Sequence, residues 1–229
     1  MKLLVLSDLH SNCSIIEEVQ EKIKYEEISV LIICGDLTHY GNLAEAEAIL
    51  RDFTKLGIPV LFVPGNCDPK ELTTMQAVCG ATNVHGRFKE VGCLNFLGIG
   101  GSPIGPFNSP FEMSENEIER ILNRVYEEAN FNSQFILVSH APPMNTRMDV
   151  LWSGIHAGSH AIRKFIESEK PSLVLCGHIH EARGKDSING SLIVNPGPAH
   201  RGLYAMVDIG AEITVDLDAS QQKRLKVNR

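Results

Sequence analysis

Short apolar runs alternate with amphipathic segments along the first third of the chain. The runs at residues 3–6, 30–34 and 60–63 are continuously apolar, which is typical of buried strands in a parallel sheet. Residues 14–27 and 43–56 instead carry apolar side chains at helical spacing. Strand, helix, strand, helix, strand is the order of a parallel sheet with right-handed crossovers. This part of the sequence therefore predicts an α/β fold.

The pattern is less regular in the rest of the chain. Ser114 and Glu117 have the spacing of a capping box, which predicts a helix that ends near Ala129. A further helix is predicted at residues 161–169, and the segments after Arg183 favour antiparallel strands and turns. Other apolar runs predict strands within residues 84–99 and at 135–138, 173–176, 191–194, 204–207 and 213–217. These elements predict either two sheets or one large mixed sheet.

The composition is that of an ordinary globular domain. Hydrophobic residues make up 43% of the 229 positions, and no repeat or linker-like segment divides the chain, so we expect one domain over residues 1–229. The apolar run at the N-terminus is too short for a signal peptide and is interrupted by Asp8. No stretch reaches the roughly 18 apolar residues of a membrane span. We therefore expect a cytoplasmic protein with no membrane partner.

The charge balance is acidic. Lys and Arg number 21 and Asp and Glu number 28, which gives a formal net charge of −7. The basic segment 223–226 is a local exception that a solvated terminus explains. A general nucleic-acid binder carries a positive patch, which this composition does not indicate. We therefore do not expect nucleic acid as a partner, and the sequence does not predict an oligomeric state.

Five short segments place residues suited to metal coordination directly after predicted strands. In open α/β sheets, ligands bind outside the carboxyl ends of the parallel strands, so these segments predict one shared site. Residues two apart in an extended backbone project to the same side, so the donors of the first segment and of the last are expected to act in pairs. The segments are Asp8-Leu9-His10, Gly35-Asp36, Gly65-Asn66-Cys67-Asp68, Ser139-His140 and Gly177-His178-Ile179-His180.

The donor inventory indicates transition-metal ions. Two aspartates, one asparagine and four histidines suit Mn, Fe, Co, Ni or Zn better than Ca or Mg, which prefer oxygen ligands. Seven donors exceed the four of one tetrahedral zinc, but they suffice for two ions if one carboxylate bridges. Two ions about 4 Å apart activate water and stabilise an in-line displacement at phosphorus. We predict two divalent ions, with Mn²⁺ favoured and Fe, Ni, Co, Zn or Mg as alternatives.

Each of these motifs alone is also ordinary turn chemistry, but the ordered set resembles the calcineurin-like metallophosphoesterase superfamily from Asp8 to about Gly197. Further segments resemble its prokaryotic branch related to cyclic-nucleotide phosphodiesterases. The resemblance implies a four-layer α-β-β-α sandwich with two mixed β-sheets and a dinuclear site at one edge of the sheets. The further segments are Gly35-Asp36-Leu37-Thr38-His39, Gly100-Gly101-Ser102-Pro103, His156-Ala157-Gly158-Ser159 and Asn195-Pro196-Gly197-Pro198.

The resemblance also implies roles for individual residues. It assigns Asp36 as the ligand that bridges the two metals. The first metal would be held by Asp8, His10 and His180, and the second by Asn66, His140 and His178. One position departs from the pattern, because Cys67 stands where many relatives have a histidine that assists the leaving group. A thiol is a poor proton donor, which leaves the general acid open. His39, His156 and His200 are candidate substitutes, although each also fits a surface or loop histidine.

Together these features predict a metal-dependent phosphoesterase, with a phosphodiesterase favoured, in which a hydroxide that bridges the metals attacks phosphorus in line with the leaving group. The substrate would be a small phosphate ester, with a nucleotide as one candidate. We expect direct catalytic roles for Asn66, His140 and Asp36, and substrate contacts from Asn12, Asn66, His140 and His39. Asn12 could alternatively cap the first helix, and Asp68 is expected to orient the Asn66 loop or a metal ligand.

Two alternatives remain open at the level of sequence. A phosphomonoesterase of the same fold would need extra cationic contacts for the additional phosphate charge, and a metal-binding interaction scaffold would lack hydrolysis altogether. Loops 100–113 and 144–159 are expected to shape the pocket and set specificity. Within them, the segment Gly105-Pro106-Phe107 and Trp152 are candidates for stacking on a base, although ordinary packing is the simpler interpretation.

Overall fold

The computed structural model describes residues 1–130 and 134–217; the basic segment 223–226 lies outside them. The strands are β1 (Lys2–Leu6), β2 (Ile28–Ile33), β3 (Val60–Phe62), β4 (Ala77–Val78), β5 (Ala81–Asn83), β6 (Arg87–Val91), β7 (Leu94–Ile99), β8 (Ser102–Pro103), β9 (Glu112–Met113), β10 (Phe135–Ser139), β11 (Leu173–Leu175), β12 (Gly184–Ile188), β13 (Ser191–Asn195), β14 (Ala205–Ile209) and β15 (Ile213–Asp216). The α-helices are α1 (Ile16–Tyr25), α2 (Leu43–Thr54), α3 (Glu115–Ala129) and α4 (His160–Glu169). Short 3₁₀ turns occupy Lys70–Thr73, Arg147–Asp149, His180–Ala182 and Ala199–Arg201.

The first sheet has seven strands in the order β15-β14-β1-β2-β3-β5-β4. Strands β1, β2, β3 and β5 run parallel, and α1 and α2 are the crossovers that the sequence predicted. Strand β14 pairs antiparallel with β1, and the two edge strands β15 and β4 are also antiparallel to their neighbours. The sheet is therefore mixed, with its parallel strands at the centre.

The second sheet has six strands in the order β12-β13-β11-β10-β7-β6. Strands β7, β10, β11 and β13 are parallel, and β12 and β6 are antiparallel edges. The prediction of antiparallel pairing after Arg183 is therefore wrong for the pairing of β13 with β11. The chain reverses at Asn189 and Gly190, whose φ angles are 48° and 92°, so β12 takes the antiparallel edge and β13 returns parallel to β11.

Three apolar cores separate four layers. Leu4 and Leu6 of β1 face α1 and α2, whereas Leu3 and Val5 face the second sheet, because successive side chains of a strand point to opposite faces. A third core packs α3 and α4 on the outer face of the second sheet. The predicted four-layer α-β-β-α sandwich with two mixed sheets is confirmed.

Local signals also match the structure. The Ser114 hydroxyl accepts a hydrogen bond from the Glu117 N–H, and the Glu117 carboxylate accepts one from the Ser114 N–H, so the predicted capping box starts α3.

None of the four α-helices within residues 1–130 and 134–217 combines the length and the apolar character needed to cross a bilayer.

Candidate metal centre

The five segments singled out from the sequence meet at one end of the two sheets. Asp8 and Asp36 follow β1 and β2, which are neighbours in the first sheet. His140 and His178 follow β10 and β11, which are neighbours in the second sheet. The His178 N–H donates to Asp8 Oδ2 at 3.1 Å, which joins the two sheets directly at this point. The carboxyl ends of the central parallel strands therefore form one cluster, as expected for an α/β site.

The backbone of these segments is left-handed rather than extended. The φ angle is 57° at Asp8, 46° at His10, 51° at Asp36 and 69° at His178, and His180 begins a 3₁₀ turn. The extended backbone on which the pairing of donors two residues apart was predicted is therefore absent. Asp8 and His10 nevertheless lie together, with 4.0 Å between Asp8 Oδ1 and His10 Nε2, whereas the predicted pairing of His178 with His180 is wrong. Each non-glycine residue in the left-handed conformation costs about 1–2 kcal/mol. Backbone strain of this kind clusters at functional sites.

One half of the cluster is built from Asp8, His10 and His180. His10 Nε2 lies 3.1 Å from His180 Nε2, and Asp8 Oδ1 lies 4.0 Å from the former and 3.4 Å from the latter. His200 joins this half, since ring nitrogens of His10, His180 and His200 all lie within 4.8 Å of one another. The sequence had indicated His200 only as a candidate proton donor. The sequence signal nearest to His200 was the preceding segment Asn195-Pro196-Gly197-Pro198, which formed part of the family resemblance.

The other half is built from Asp36, Asn66, His140 and His178. His140 Nε2 lies 2.9 Å from Asn66 Oδ1 and 3.5 Å from Asp36 Oδ1. Donor atoms of Asp36, His140 and His178 lie within 4.8 Å of one another. All seven side chains chosen from the sequence are thus gathered at one place, and the histidines of the last segment separate, with His178 beside His140 and His180 beside His10.

Asp36 lies between the two halves. Its Oδ2 is 3.6 Å from His10 Nε2, and its Oδ1 is 3.5 Å from His140 Nε2. The side chain is almost completely buried, and its Oδ1 accepts a hydrogen bond of 2.8 Å from the Cys67 N–H. A fixed carboxylate that faces donors on both sides has the placement of a bridging ligand.

The arrangement of acceptors fits cations. His140 Nδ1 lies 2.7 Å from the Cys34 carbonyl oxygen, which can only accept, so Nδ1 carries a proton and donates it. The other ring nitrogen, Nε2, faces the side-chain oxygens of Asn66 and Asp36. Asp8 Oδ1 is buried and lies 3.4 Å from His180 Nε2. Buried acceptors that face one another need positive charge between them.

Burial favours the neutral form of two histidines of the centre, His10 and His178. Burial is the main cause that lowers the pKa of His10 to about 4 and that of His178 to about 3, with neighbouring histidines acting in the same direction. For His180, burial alone would lower the pKa, but the hydrogen bond to Asp8 and the charge of Asp8 raise it. Neutral imidazole is the form that binds metal ions, so His10 and His178 are ready to do so at neutral pH.

The two aspartates shift in opposite directions. Burial, together with the carboxylates of Asp8 and Asp68, raises the pKa of Asp36 to about 7, although His140 opposes the shift. Burial would also raise the pKa of Asp8, but the hydrogen bond from His180 and the charge of His140 outweigh it and lower the pKa below its ordinary value. A buried carboxylate with a raised pKa needs a positive neighbour to ionise, and a bound cation provides one.

Two glycines allow the chain to close around these carboxylates. A Cβ atom at Gly65 would lie 2.1 Å from Asp36 Oδ1, and one at Gly177 would lie 2.8 Å from Asp8 Oδ2 and 1.7 Å from Ser7 Oγ. None of these contacts is sterically possible for a larger residue in this geometry. The glycines before the metal-type residues are therefore needed for close approach rather than for turn formation alone.

Asp68 holds the loop that carries Asn66. Its carboxylate accepts hydrogen bonds from the N–H groups of Gly65 at 2.8 Å, Leu37 at 3.1 Å and Thr38 at 2.8 Å. It thereby joins the loop after β3 to the loop after β2. The predicted orienting role of Asp68 is confirmed.

Cys67 stands at the position where the resemblance implied a histidine, and Tyr40 lies beside it. Burial, and next the charge of Asp36, raises the pKa of the Cys67 thiol, which favours the neutral thiol over the nucleophilic thiolate. The Tyr40 hydroxyl lies close enough to this thiol that each affects the pKa of the other. Tyr40 is 53% exposed and its ring packs against His39, so its hydroxyl lies where the site opens to solvent. Tyr40 was not predicted from the sequence, where its only signal was its position next to His39.

Of the remaining candidate residues, some lie beside the metal centre and others make contacts away from it. His39 Nδ1 lies 3.4 Å from His10 Nδ1, so His39 borders the centre. His156 instead pairs with Asp149, with its Nδ1 2.7 Å from Oδ1 of that residue, and this contact holds a loop. Asn12 does not cap α1, whose N-cap is Ile15. Its amide donates to the His200 carbonyl at 3.2 Å.

A cleft of about 820 Å³ opens next to the metal centre. Asn66, His178 and His180 line it and also belong to the centre, so the two are continuous. Both loops expected to shape the pocket contribute to its walls, which include residues from Ser102 to Glu112 and from Met144 to Gly158. A cleft of this size accommodates a small organic molecule.

The fold and this site together define a class of protein. A family model described as calcineurin-like phosphoesterase matches residues 1–182. The chain therefore belongs to the calcineurin-like phosphoesterase family, which typically depends on metal ions, and the resemblance inferred from the motifs is confirmed.

Two individual relatives are similar to this chain over most of its length. The chain is 40% identical over 212 residues to an uncharacterized protein of Methanocaldococcus jannaschii, with 89% of this chain and 91% of the relative covered. It is 27% identical to a probable cyclic nucleotide phosphodiesterase of Vesicomyosocius okutanii, with coverage of 80% and 76%.

Solved structures share the fold at low sequence identity. Protein TT1561 of Thermus thermophilus superposes with a TM-score of 0.69 at 19% identity, covering 94% of this chain and 98% of the other. Phosphopantetheinyl hydrolase from Mycobacterium tuberculosis superposes with a TM-score of 0.60 at 16% identity, covering 96% and 97%. These likenesses concern the fold alone.

Proposed function

We propose that this protein is a metal-dependent phosphodiesterase that acts on a small phosphate ester with two divalent cations at the centre described above. The observation that carries the proposal is the gathering of seven donors from both sheets, with the buried carboxylate of Asp36 between the two halves of the cluster. Family membership supports phosphoester hydrolysis, and the finer assignment rests on these residues.

Each half of the cluster is proposed to hold one cation. The first would be bound by Asp8, His10 and His180, and Asp36 would bridge the two. The second would be bound by Asn66, His140 and His178. The separation of the histidine pairs supports this division, since His180 packs against His10 and His178 against His140. Mn²⁺ is the favoured metal, because mixed imidazole and carboxylate donors suit it well, and Fe, Ni, Co, Zn and Mg are the alternatives.

When bound, two divalent cations lower the pKa of water to near neutrality and offset the negative charge of the phosphate. The chain's own groups fix the reacting geometry. Asp36 positions both halves relative to each other, and Asn66 and His140, which also line or border the cleft, orient the phosphoryl oxygens. In the net reaction, oxygen from water forms a new bond to phosphorus and the bond to the leaving oxygen breaks. The leaving alkoxide then takes up a proton.

Tyr40 is the proposed donor on the leaving-group side. Its hydroxyl lies beside Cys67, where the resemblance implies a histidine in many relatives, and the interaction with Cys67 raises the pKa of the phenol, so it stays protonated. A neutral phenol can donate a hydrogen bond to the leaving oxygen, which the buried thiol does poorly. His39 borders the same side of the centre and completes the proposed substrate contacts with Asn12.

A diester is favoured over a monoester by the charges around the cleft. A monoester carries an additional negative charge and requires cationic contacts. Among the described residues that line the cleft there is neither Lys nor Arg. The relative named as a probable cyclic nucleotide phosphodiesterase agrees with a diester substrate, with a nucleotide as one candidate. A phosphomonoesterase is the second candidate, and a metal-binding interaction scaffold is the third.

The test compares bis(p-nitrophenyl) phosphate with p-nitrophenyl phosphate after addition of Mn²⁺, in wild type and in Asp36→Asn. We expect the wild type to hydrolyse the diester faster, and Asp36→Asn to fall to the rate without enzyme while its circular dichroism stays unchanged. Metal content is measured in the same samples and should fall in the variant. Wild-type rates in Asp36→Asn would contradict the bridging role, and faster hydrolysis of the monoester would favour the second candidate. A wild type that retains metal but hydrolyses no ester would favour the scaffold.

A further inference from the structure

Large apolar side chains are exposed on the two loops beside the metal centre. Ile104 is 69% and Phe107 83% exposed on the first loop, and Trp152 is 87% and Ile155 63% exposed on the second. Ile104 and Phe107 line the cleft, and Trp152 follows Leu151, which also lines it. Ordinary packing, the simpler interpretation from sequence, is therefore wrong for Phe107 and Trp152. Clustered exposed apolar groups at a cleft mark a binding surface.

The first loop is held in place by Glu112. The carboxylate of Glu112 accepts hydrogen bonds from the Gly105 N–H at 3.0 Å and the Ser109 N–H at 2.8 Å, and also from the Ser109 hydroxyl. Strands β8 and β9 pair at its base, and the Ile104 N–H donates to Met113 O at 3.1 Å. Phe107 is thus presented at the tip of a constrained loop rather than on a free segment.

The second loop is held by Asp149, whose side chain is fully buried. Its carboxylate accepts hydrogen bonds from the N–H groups of Asn145 at 3.0 Å, Thr146 at 2.8 Å and Gly158 at 3.1 Å, and it pairs with His156. Val150 and His156 form an antiparallel bridge, so Trp152 lies in the turn of a small hairpin. Two constrained loops therefore each expose an aromatic side chain, which lowers the entropy cost of binding an apolar group.

The charges of the cleft restrict its occupant further. Glu112, Glu115 and Glu181 line it, and the lining within the described part of the chain includes neither Lys nor Arg. Glu115 accepts hydrogen bonds at the start of α4, from Ser159, His160 and Ala161, and Glu181 accepts one from the Trp152 N–H at 3.0 Å. An anionic group placed here would meet carboxylates without a cationic partner.

We propose that the cleft binds the second ester arm of the phosphodiester substrate and selects an uncharged apolar arm, alkyl or aryl, against an anionic one. The proposal rests on the phosphodiesterase function above and names its substrate class. Asn66, His178 and His180 belong to both the centre and the cleft, so a phosphate at the centre would place its second arm between the two loops. Nucleoside polyphosphates and oligonucleotides, whose arms carry further negative charge, are excluded by the same argument.

The first test measures binding without hydrolysis. Trp152 is the only tryptophan in the chain, so its emission reports occupation of the cleft mouth. The probes are dibenzylphosphinate and bis(2-carboxyethyl)phosphinate, which both mimic a diester but contain no ester bond. At constant Mn²⁺, we expect saturable change of emission with the benzyl probe and none with the carboxylate probe at the same concentration. Phe107→Ala should raise the Kd of the benzyl probe about tenfold, which corresponds to about 1.4 kcal/mol.

Phe88→Ala is the matched control, because Phe88 is an aromatic that is 46% exposed on the edge strand β6 and does not line the cleft. It should leave the Kd unchanged. Equal binding of both probes, or no effect of Phe107→Ala, would overturn the proposal. The same is true if Phe107→Ala changes the oligomeric state instead of the Kd, since the surface would then be an interface between copies of the chain.

The second test uses two chromogenic diesters with the same p-nitrophenyl leaving group. The other arm is phenyl in one and 3-carboxyphenyl in the other. We expect kcat/KM for the phenyl diester to be at least about tenfold higher than for the 3-carboxyphenyl diester. Glu181→Lys should bring the two kcat/KM values closer together without a change in metal content. Glu90→Lys, an exposed charge reversal on β6, is the control. Hydrolysis of both diesters at equal rates would overturn the arm selectivity alone, whereas probe binding with no metal-dependent hydrolysis would overturn the phosphodiesterase function.

Discussion

At the scale of single residues, the centre depends on backbone positions that tolerate no added atoms. Asp36 and Gly65 are in contact across two loops, and a methyl group at Gly65 would occupy the space of the Asp36 carboxylate. The chain therefore achieves short distances between donors through glycine rather than through side-chain flexibility. Substitution of such a glycine removes no donor, but we expect it to disturb the site as strongly as the loss of a donor would.

Gly65→Ala should consequently lose bound metal and activity together. The carboxylate of Asp36 has to move, so we expect metal content to fall by at least about tenfold, as for loss of a supporting contact. Gly57→Ala is the control. Its φ of 81° strains any other residue, but nothing lies within 4 Å of the added carbon. It should lower the free energy of unfolding by about 1 kcal/mol and leave metal content unchanged. Full metal content in Gly65→Ala would show that Asp36 is not confined as described.

Tyr40→Phe tests the proposed donor to the leaving oxygen. Loss of one hydrogen bond made in the transition state should lower kcat by about a hundredfold with little change in KM or metal content. Tyr25→Phe, an exposed tyrosine at the end of α1, should behave as wild type. The loss of kcat in Tyr40→Phe should be smaller with substrates whose leaving group is a weak base, such as p-nitrophenolate. An unchanged kcat with an alkyl leaving group would exclude the role of Tyr40.

At the scale of elements, His85 connects the two sheets near the site. It follows β5 of the first sheet, and its Nδ1 accepts a hydrogen bond of 2.9 Å from the Gly100 N–H, just after β7 of the second. Burial, and next the charges of Arg87 and Arg124, lowers the pKa of His85 to about 4. The folded state therefore favours the neutral ring.

The pH dependence of stability follows from that shift. The unfolded ring has a pKa of about 6.5, so the contribution of His85 is present above about pH 6.5 and is lost as the pH falls towards about 4. At about pH 5 the loss is about 2 kcal/mol. Urea unfolding of metal-free protein should show a smaller difference between about pH 7 and 5 in His85→Gln than in wild type. His160→Gln, at the exposed start of α4, should keep the wild-type difference. An identical difference in all three proteins would contradict the buried neutral state of His85.

Sequence patterns predict elements here where burial is continuous. Strands β1, β2, β10 and β11 are apolar on both faces because helices cover one side and the other sheet covers the second, so their runs are unambiguous. The two-residue strands β4, β8 and β9 have no such signal, since their pairing depends on distant segments. Their positions became evident only from the fold.

At the candidate site, too, features set by the strands were predictable from sequence, and features set by tertiary contacts were not. The metal-type residues were recognisable because each follows a strand, but the left-handed backbone at Asp8 and His178 was not, because tertiary contacts impose it. His200 joins the site from a loop far from Asp36 in the sequence, and no spacing connects the two residues. Tyr40 lies only four residues after Asp36, but the sequence did not indicate its contact with Cys67. Positions relative to strands were thus predictable, and contacts between loops were not.

At the scale of the whole molecule, two sheets packed face to face place eight central parallel strands with their carboxyl ends towards one edge. Neither sheet alone carries a complete set of donors, since Asp8, His10, Asp36 and Asn66 follow strands of the first sheet and His140, His178 and His180 follow strands of the second. The inter-sheet core, with Phe96 and Val138 fully buried, therefore maintains the site as well as the fold. The cleft and its two loops lie next to this edge, where substrate would be selected.

The proposed function depends on two cations held by the seven donors. The number of Mn²⁺ ions bound per chain tests this dependence, and it is determined by equilibrium dialysis of metal-stripped protein at neutral pH and elemental analysis. We expect two ions per chain in wild type, with neutral His10 and His178 as donors. A chain that remains folded and binds no Mn²⁺, Fe, Co, Ni, Zn or Mg would contradict it.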